Sequence, residues 1–210
     1  ETIAKAPSQY MWAGIGDTYA KYYEAEISSR DERLEHFTAL GVAVSKMCRD
    51  PLLLYGPKAL EDHKKGLCTY DVEQVVLAIV VTTGIASIFL TKDYTPDYNS
   101  GLAHAIFYAM TSYPVIEERH LHGEVVGFGV LLALLVDGQE EEFEAIYGLN
   151  RALGLPVSLE EIEITEEQWE ECEARIPEMS DIAHYPYRVT KEMLDEAMAR
   201  LKERAAKYQK

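Results

Sequence analysis

Nowhere along these 210 residues does an apolar/polar alternation of period two persist long enough to make a sheet. Apolar positions recur at helical spacing instead, in blocks cut by glycine, proline and capping residues. The expectation is an all-α chain folded as a multi-helix bundle. A first helix spans Ser8 to about Ser28, with Gly14 and Gly16 inside it. A second runs from Asp31 to about Cys48 and is stopped by Pro51. A short third lies in "GPKALEDHKK" and closes at Gly66; Asp71 opens a long one that ends before the turn-rich "KDYTPDYNSG". Ser100 reads as the N-cap of a helix reaching about Ser112. "HGEVVGFGVLLALLV" makes the next, ended by Gly138, and "EEEFEAIYGLNRALG" another, ended at Gly154 with Pro156 beyond. Thr165 and Gln168 carry capping-box spacing at the head of "TEEQWEECEARI". The last helix starts at Thr190 and runs to the end, with charge alternating along its exposed face.

The longest uncharged run, "QVVLAIVVTTGIASIFLT" from Gln74 to Thr91, comes near the length of a membrane span. Two threonines adjoin its glycine and no basic flank marks a cytoplasmic side. The expected reading is a helix buried on all sides, with no membrane contact. The net charge of −16 is spread along the chain, which argues against a nucleic-acid surface and against an anionic membrane face. Three cysteines without CxxC spacing point to reduced thiols in a cytoplasmic protein rather than to disulfides or a cysteine zinc site. The chain opens on "ETIAKAP", which reads as the end of a connection, so a piece of a longer protein is expected.

Three polar residues sit badly in this apolar background. His104, in "GLAHAIFYAM", has only apolar or glycine neighbours within a turn. His122 stands at the start of the following helix, with Glu124 complementing the helix dipole; His120, two residues earlier, reads as an exposed loop histidine. Asp17 lies in the middle of a helix of Gly, Ala, Ile and aromatic residues, and burying a carboxylate is costly unless something compensates it. Lys21, four residues on, offers one compensation as an ion pair on the same face. A metal ion offers the other. Asp17, His104 and His122 would then form an Asp/His/His set drawn from three helices, as facing helices of a bundle build metal sites. Three N/O ligands with an open fourth position fit a catalytic zinc, and Fe(II) is also compatible. "GIGD" mimics a dinucleotide fingerprint, but no strand precedes it. Cys68 lacks the basic surroundings of a nucleophile, and no Ser-His-Asp set or P-loop is present.

At these residues the chain resembles a known family. "IAKAPSQYMWAGIGDTYAKYYEA", "SGLAHAI", "HGEVVGFGVLLALLV", "GLNRALGLPVSLEEI" and "HYPYRVTKEMLDEAM" are similar to the C-terminal half of glycerol dehydrogenases, in the iron-containing alcohol dehydrogenase and dehydroquinate synthase-like superfamily. The resemblance covers nearly the whole chain. It implies a helical metal-binding domain over residues 1–210, with a Rossmann-like NAD-binding domain that this chain does not contain. It implies Asp17, His104 and His122 as the ligands, the same three residues that stand out on their own. Asp rather than Glu at position 17 favours the polyol dehydrogenases over the dehydroquinate synthases. Two departures stand out. Phe107 occupies the place of a second histidine found in many relatives, and "TSYPVIEERHLHGE" is arranged differently from their corresponding loop.

The implied activity belongs to the parent enzyme: the metal polarises a vicinal diol for hydride transfer to NAD. His122 is expected to hold its tautomer through a hydrogen bond on its second ring nitrogen. The expected partners are a small polyol or alcohol substrate and further copies of the chain. Two rivals stand beside this reading. One is a non-catalytic helical binding module; the other is a further superfamily chemistry, glycerol-1-phosphate dehydrogenase or dehydroquinate synthase-like.

Overall fold

The structure is a computed structural model and describes residues 2–92, 95, 96 and 98–208. Eleven α-helices are seen among them: α1 Ser8–Ser28, α2 His36–Ser45, α3 Asp50–Lys64, α4 Tyr70–Leu77, α5 Thr83–Leu90, α6 Leu102–Met110, α7 Pro114–Arg119, α8 His122–Val136, α9 Glu140–Leu153, α10 Glu166–Glu173 and α11 Lys191–Tyr208. The chain is all-α. The one ladder among the described residues is a two-residue antiparallel pair, Thr91–Lys92 with Thr95–Pro96. Asp93, Tyr94 and Asp97 of the turn-rich break lie outside the described residues, as do the last two positions of the expected terminal helix.

Helix α8 is the axis of the bundle. Every residue from Gly123 to Leu135 is buried, and α1, α6, α9 and α11 pack around it. A helix apolar all round must be covered all round, and "VVGFGVLLALLV" leaves no polar stripe to face water. Helix α1 lies closest against it. A Cβ on Gly16 would stand 2.1 Å from the carbonyl oxygen of Gly123, and a Cβ on Gly123 equally close to that of Ala13. The two backbones meet because neither residue has a side chain there.

The punctuation works largely as read. Gly66, Gly138 and Gly154 take φ of +70°, +72° and +74°, the left-handed region that closes helices. Thr165 and Gln168 make the reciprocal capping box: the Gln168 amide donates to the Thr165 hydroxyl at 3.2 Å, and the Thr165 amide donates to Gln168 Oε1 at 2.9 Å.

Four expectations are corrected. Helix α2 begins at His36 rather than Asp31, because Asp31 sits at φ +63°, which no right-handed helix admits. Pro51 lies in the first turn of α3, which starts at Asp50, so it opens a helix as well as ending one. Ser100 does not cap α6. Gly101 takes that position, and its amide and that of His104 both donate to Glu24 Oε1 at 2.9 Å, a cap supplied from α1.

The fourth correction concerns the long apolar run. It forms α4 and α5, joined by a π-helical turn at Ala78–Thr82, but it is not buried on all sides. Over the apolar window of Tyr70–Leu90 only 22% is buried, and Leu77, Val80, Val81, Ile85 and Ile88 are exposed. By length and composition this helix could cross a membrane. Apolar composition reports a preference for leaving water; it does not say that this chain supplies the cover.

Candidate metal centre

Asp17, His104 and His122 come together. Asp17 sits on α1 one residue after the Gly16 contact, and His122 opens α8 one residue before Gly123. The glycine crossing that joins the two helices therefore sets the two side chains face to face. Helix α6 brings His104 in from a third direction. Asp17 Oδ1 lies 3.3 Å from His122 Nε2 and 3.7 Å from His104 Nε2. One donor atom from each residue falls within 4.8 Å of the others. A tetrahedral ion bound at about 2.0–2.1 Å separates its ligand atoms by roughly 3.4 Å, and the two Asp17 distances lie close to that spacing. The chemistry of the set, one carboxylate and two imidazoles, also suits zinc or ferrous iron.

The electrostatics agree. Burial opposes the charged form of Asp17, but the hydrogen bond to His122 and the charges of His104, His122 and Lys21 outweigh it and hold the carboxyl below its ordinary range. Burial likewise opposes a charged His104. Glu24 and then Asp17 overcome it, and the ring is held above the usual histidine value. Asp17 is therefore favoured as the carboxylate a divalent cation needs, and such a cation would take the place of any proton on His104 Nε2.

Exposure separates the three. His104 is buried, with 10% of its side chain exposed, whereas Asp17 and His122 open to solvent at 38% and 44%. The mouth is aromatic. Phe107 stands edge-on to His122, ring centroids 4.4 Å apart, and the exposed Tyr108 lies beside His104. Phe107 is thus a non-titrating wall beside His122.

Two neighbouring readings change. Lys21 does not end on Asp17; its ammonium donates to the backbone and side-chain oxygens of Asn99, each at 2.6 Å. His120, expected to be exposed, is 7% exposed at its side chain, with Nδ1 2.9 Å from Glu124 Oε1. Glu124 also accepts the Leu121 amide at 3.0 Å, so one carboxylate fastens the loop that delivers His122. Those groups hold His120 inward, a tertiary effect that its loop position did not reveal.

Glu24 is the residue the sequence reading missed. It is 1% exposed, and its Oε2 lies 2.6 Å from His104 Nδ1 while Oε1 caps α6. The supporting hydrogen bond expected on His122 is therefore found on His104. A signal existed: Glu24 follows Asp17 by seven residues, two turns along the same apolar helix, and poses the same question of a buried carboxylate.

No family model matches the chain. Individual proteins do. The chain is 34% identical over 165 residues to hydroxycarboxylate dehydrogenase A of Escherichia coli (strain K12), covering 78% of this chain and 44% of that protein. It is 32% identical over 174 residues to glycerol dehydrogenase of Pseudomonas putida, covering 79% and 44%. In three dimensions it superposes on glycerol dehydrogenase of Schizosaccharomyces pombe with a TM-score of 0.81 and 25% identity, over 98% of this chain and 53% of the other. The chain spans about half the length of the relatives it matches. With its helical fold and these relatives, the chain is the counterpart of the C-terminal helical domain of the glycerol dehydrogenases it matches.

Proposed function

We propose that this chain is the metal-binding half of an NAD-dependent polyol dehydrogenase, and that Asp17, His104 and His122 hold its divalent cation. The observation that carries the reading is the convergence of one carboxylate oxygen and two imidazole Nε2 atoms from three separate helices, at 3.3 and 3.7 Å. A cation there supplies Lewis acidity toward a substrate hydroxyl. The residues of the chain do the rest. Asp17 contributes the negative charge, and the two rings contribute neutral donors. Phe107 and Tyr108 wall the mouth, where an apolar ring beside the polar centre orients a small alcohol. Zinc is the first choice of metal, with ferrous iron the second. The hydride acceptor, NAD, belongs to a nucleotide-binding domain outside these 210 residues, so the chain alone should not oxidise alcohols.

A relative named as a hydroxycarboxylate dehydrogenase widens the candidate substrates from vicinal diols to small hydroxy acids. We also place self-association on the exposed apolar face of α4 and α5, since water is a poor neighbour for five large apolar side chains. A cytoplasmic setting suits its three free cysteines.

The test is metal analysis of the purified protein. About one equivalent of divalent metal is expected in the wild type, and a small fraction of that in a protein carrying Asp17→Asn and His104→Ala. Equal metal in both would remove the reading.

A further inference from the structure

Glu24 is a buried carboxylate whose two oxygens do different things. Oε1 accepts the amides of Gly101 and His104, which is all that capping α6 requires. Oε2 reaches past the cap to His104 Nδ1 at 2.6 Å. An ionised carboxylate can only accept hydrogen bonds, so the proton of this contact sits on Nδ1. In a neutral ring the other nitrogen is then a bare lone pair. That nitrogen, Nε2, faces Asp17 Oδ1 at 3.7 Å, too far for a hydrogen bond between them. Glu24 is 1% exposed, with Lys21 and His104 beside it.

We infer that Glu24 is a positioning residue: it fixes the proton of His104 on Nδ1, and so presents Nε2 as the donor that a divalent cation takes. The inference rests on the metal reading above and adds to it the group that decides how well His104 binds. Reach alone does not make this role; the sign of the partner does. Glutamine at position 24 could still cap α6 through its carbonyl oxygen, but it would point an N–H at Nδ1. The ring would answer with its lone pair and move its proton to Nε2, into the metal position. Losing such a supporting contact typically weakens metal binding by about 10- to 100-fold.

The experiment uses two readouts on one pair of proteins, wild type and Glu24→Gln. In metal-free, 15N-histidine-labelled protein, at an alkaline pH where the His104 ring is neutral, long-range proton–nitrogen correlation reports which ring nitrogen carries the proton. Co2+ titration, followed by its d–d absorption, reports affinity and ligand geometry. The wild type is expected to show Nδ1–H. The variant is expected to show Nε2–H, a Co2+ affinity lower by about 10- to 100-fold, and unchanged helicity. Cobalt uptake by a wild type with its proton on Nε2 overturns the role of Glu24 alone. So does a variant whose tautomer and affinity both match the wild type to within about twofold. A wild type with Nδ1–H that takes up no cobalt overturns the metal reading and this role together. Should the variant fail to fold, the wild-type tautomer still decides.

Discussion

Asp17 supplies the only negative charge among the three converging side chains, and two imidazoles compete for it. Replacing it with Asn keeps the shape and removes the charge. The Asp17→Asn protein should fold as the wild type does, yet lose more zinc affinity than the roughly 10- to 100-fold that a lost supporting contact costs. Competition against a zinc-binding dye measures this, and an unchanged affinity would contradict it. Away from the centre, Asp137 accepts hydrogen bonds from Arg30, Gln139 and Tyr187, with 1% of its side chain exposed. Burial opposes its charge, but Arg30, Gln139 and Tyr187 prevail and hold its carboxyl below the ordinary range. A lowered folded pKa contributes stability above the unfolded value of about 3.9, and that stability is lost as pH falls through the lower folded value. Asp137→Asn should therefore cost about 1–3 kcal/mol at neutral pH and flatten the acid side of the stability curve. Urea unfolding at a series of pH values checks both. At this scale His104 and Asp17 were legible because a polar side chain among apolar ones needs a partner. Glu24 poses the same question on the same helix, and the cover of His120 comes from Glu124 on the next helix, a tertiary contact that a loop position does not display.

Among the helices, the crossing of α1 and α8 does the most to build the centre. Gly16 and Gly123 let the two backbones touch, and the side chains immediately beside them, Asp17 and His122, inherit that closeness. A methyl group at position 123 would meet the carbonyl of Ala13 at 2.1 Å, and backbone gives way at greater cost than a flexible side chain. Gly123→Ala should lower stability by about 1–3 kcal/mol or more through overpacking. It should also weaken metal binding, because Asp17 and His122 move apart. Paired urea and Co2+ titrations test this; an alanine protein with wild-type affinity would show that the crossing does not set the centre. The sequence shows Gly16 only as a residue inside a helix and Gly123 only as the residue after His122. What it could not convey is which helix they face, because that depends on residues more than a hundred positions apart. Element ends were easier. Gly66, Gly138, Gly154 and the Thr165 box act locally and were read correctly, whereas the cap of α6 comes from Glu24 on α1 and was assigned to Ser100 instead.

For the molecule as a whole, two apolar helices have opposite fates. Helix α8 is enclosed, while the run through α4 and α5 turns Val80, Ile85 and Ile88 outward, Ile88 being 74% exposed. From sequence alone the second is expected to be enclosed too, since neither run carries a polar stripe to tell them apart. The chain spans about half the length of its relatives, and an apolar face of this kind suits association. Val80→Glu with Ile88→Glu should leave the helical content intact and shift the protein toward its smallest species in sedimentation velocity; an unchanged distribution would place the association elsewhere. The centre itself has a more direct test. Crystals grown with zinc should give one strong anomalous peak at the zinc edge, bonded at about 2.0–2.2 Å to an Asp17 oxygen and to Nε2 of His104 and His122. A fully soaked crystal with no peak among those three side chains would contradict the account.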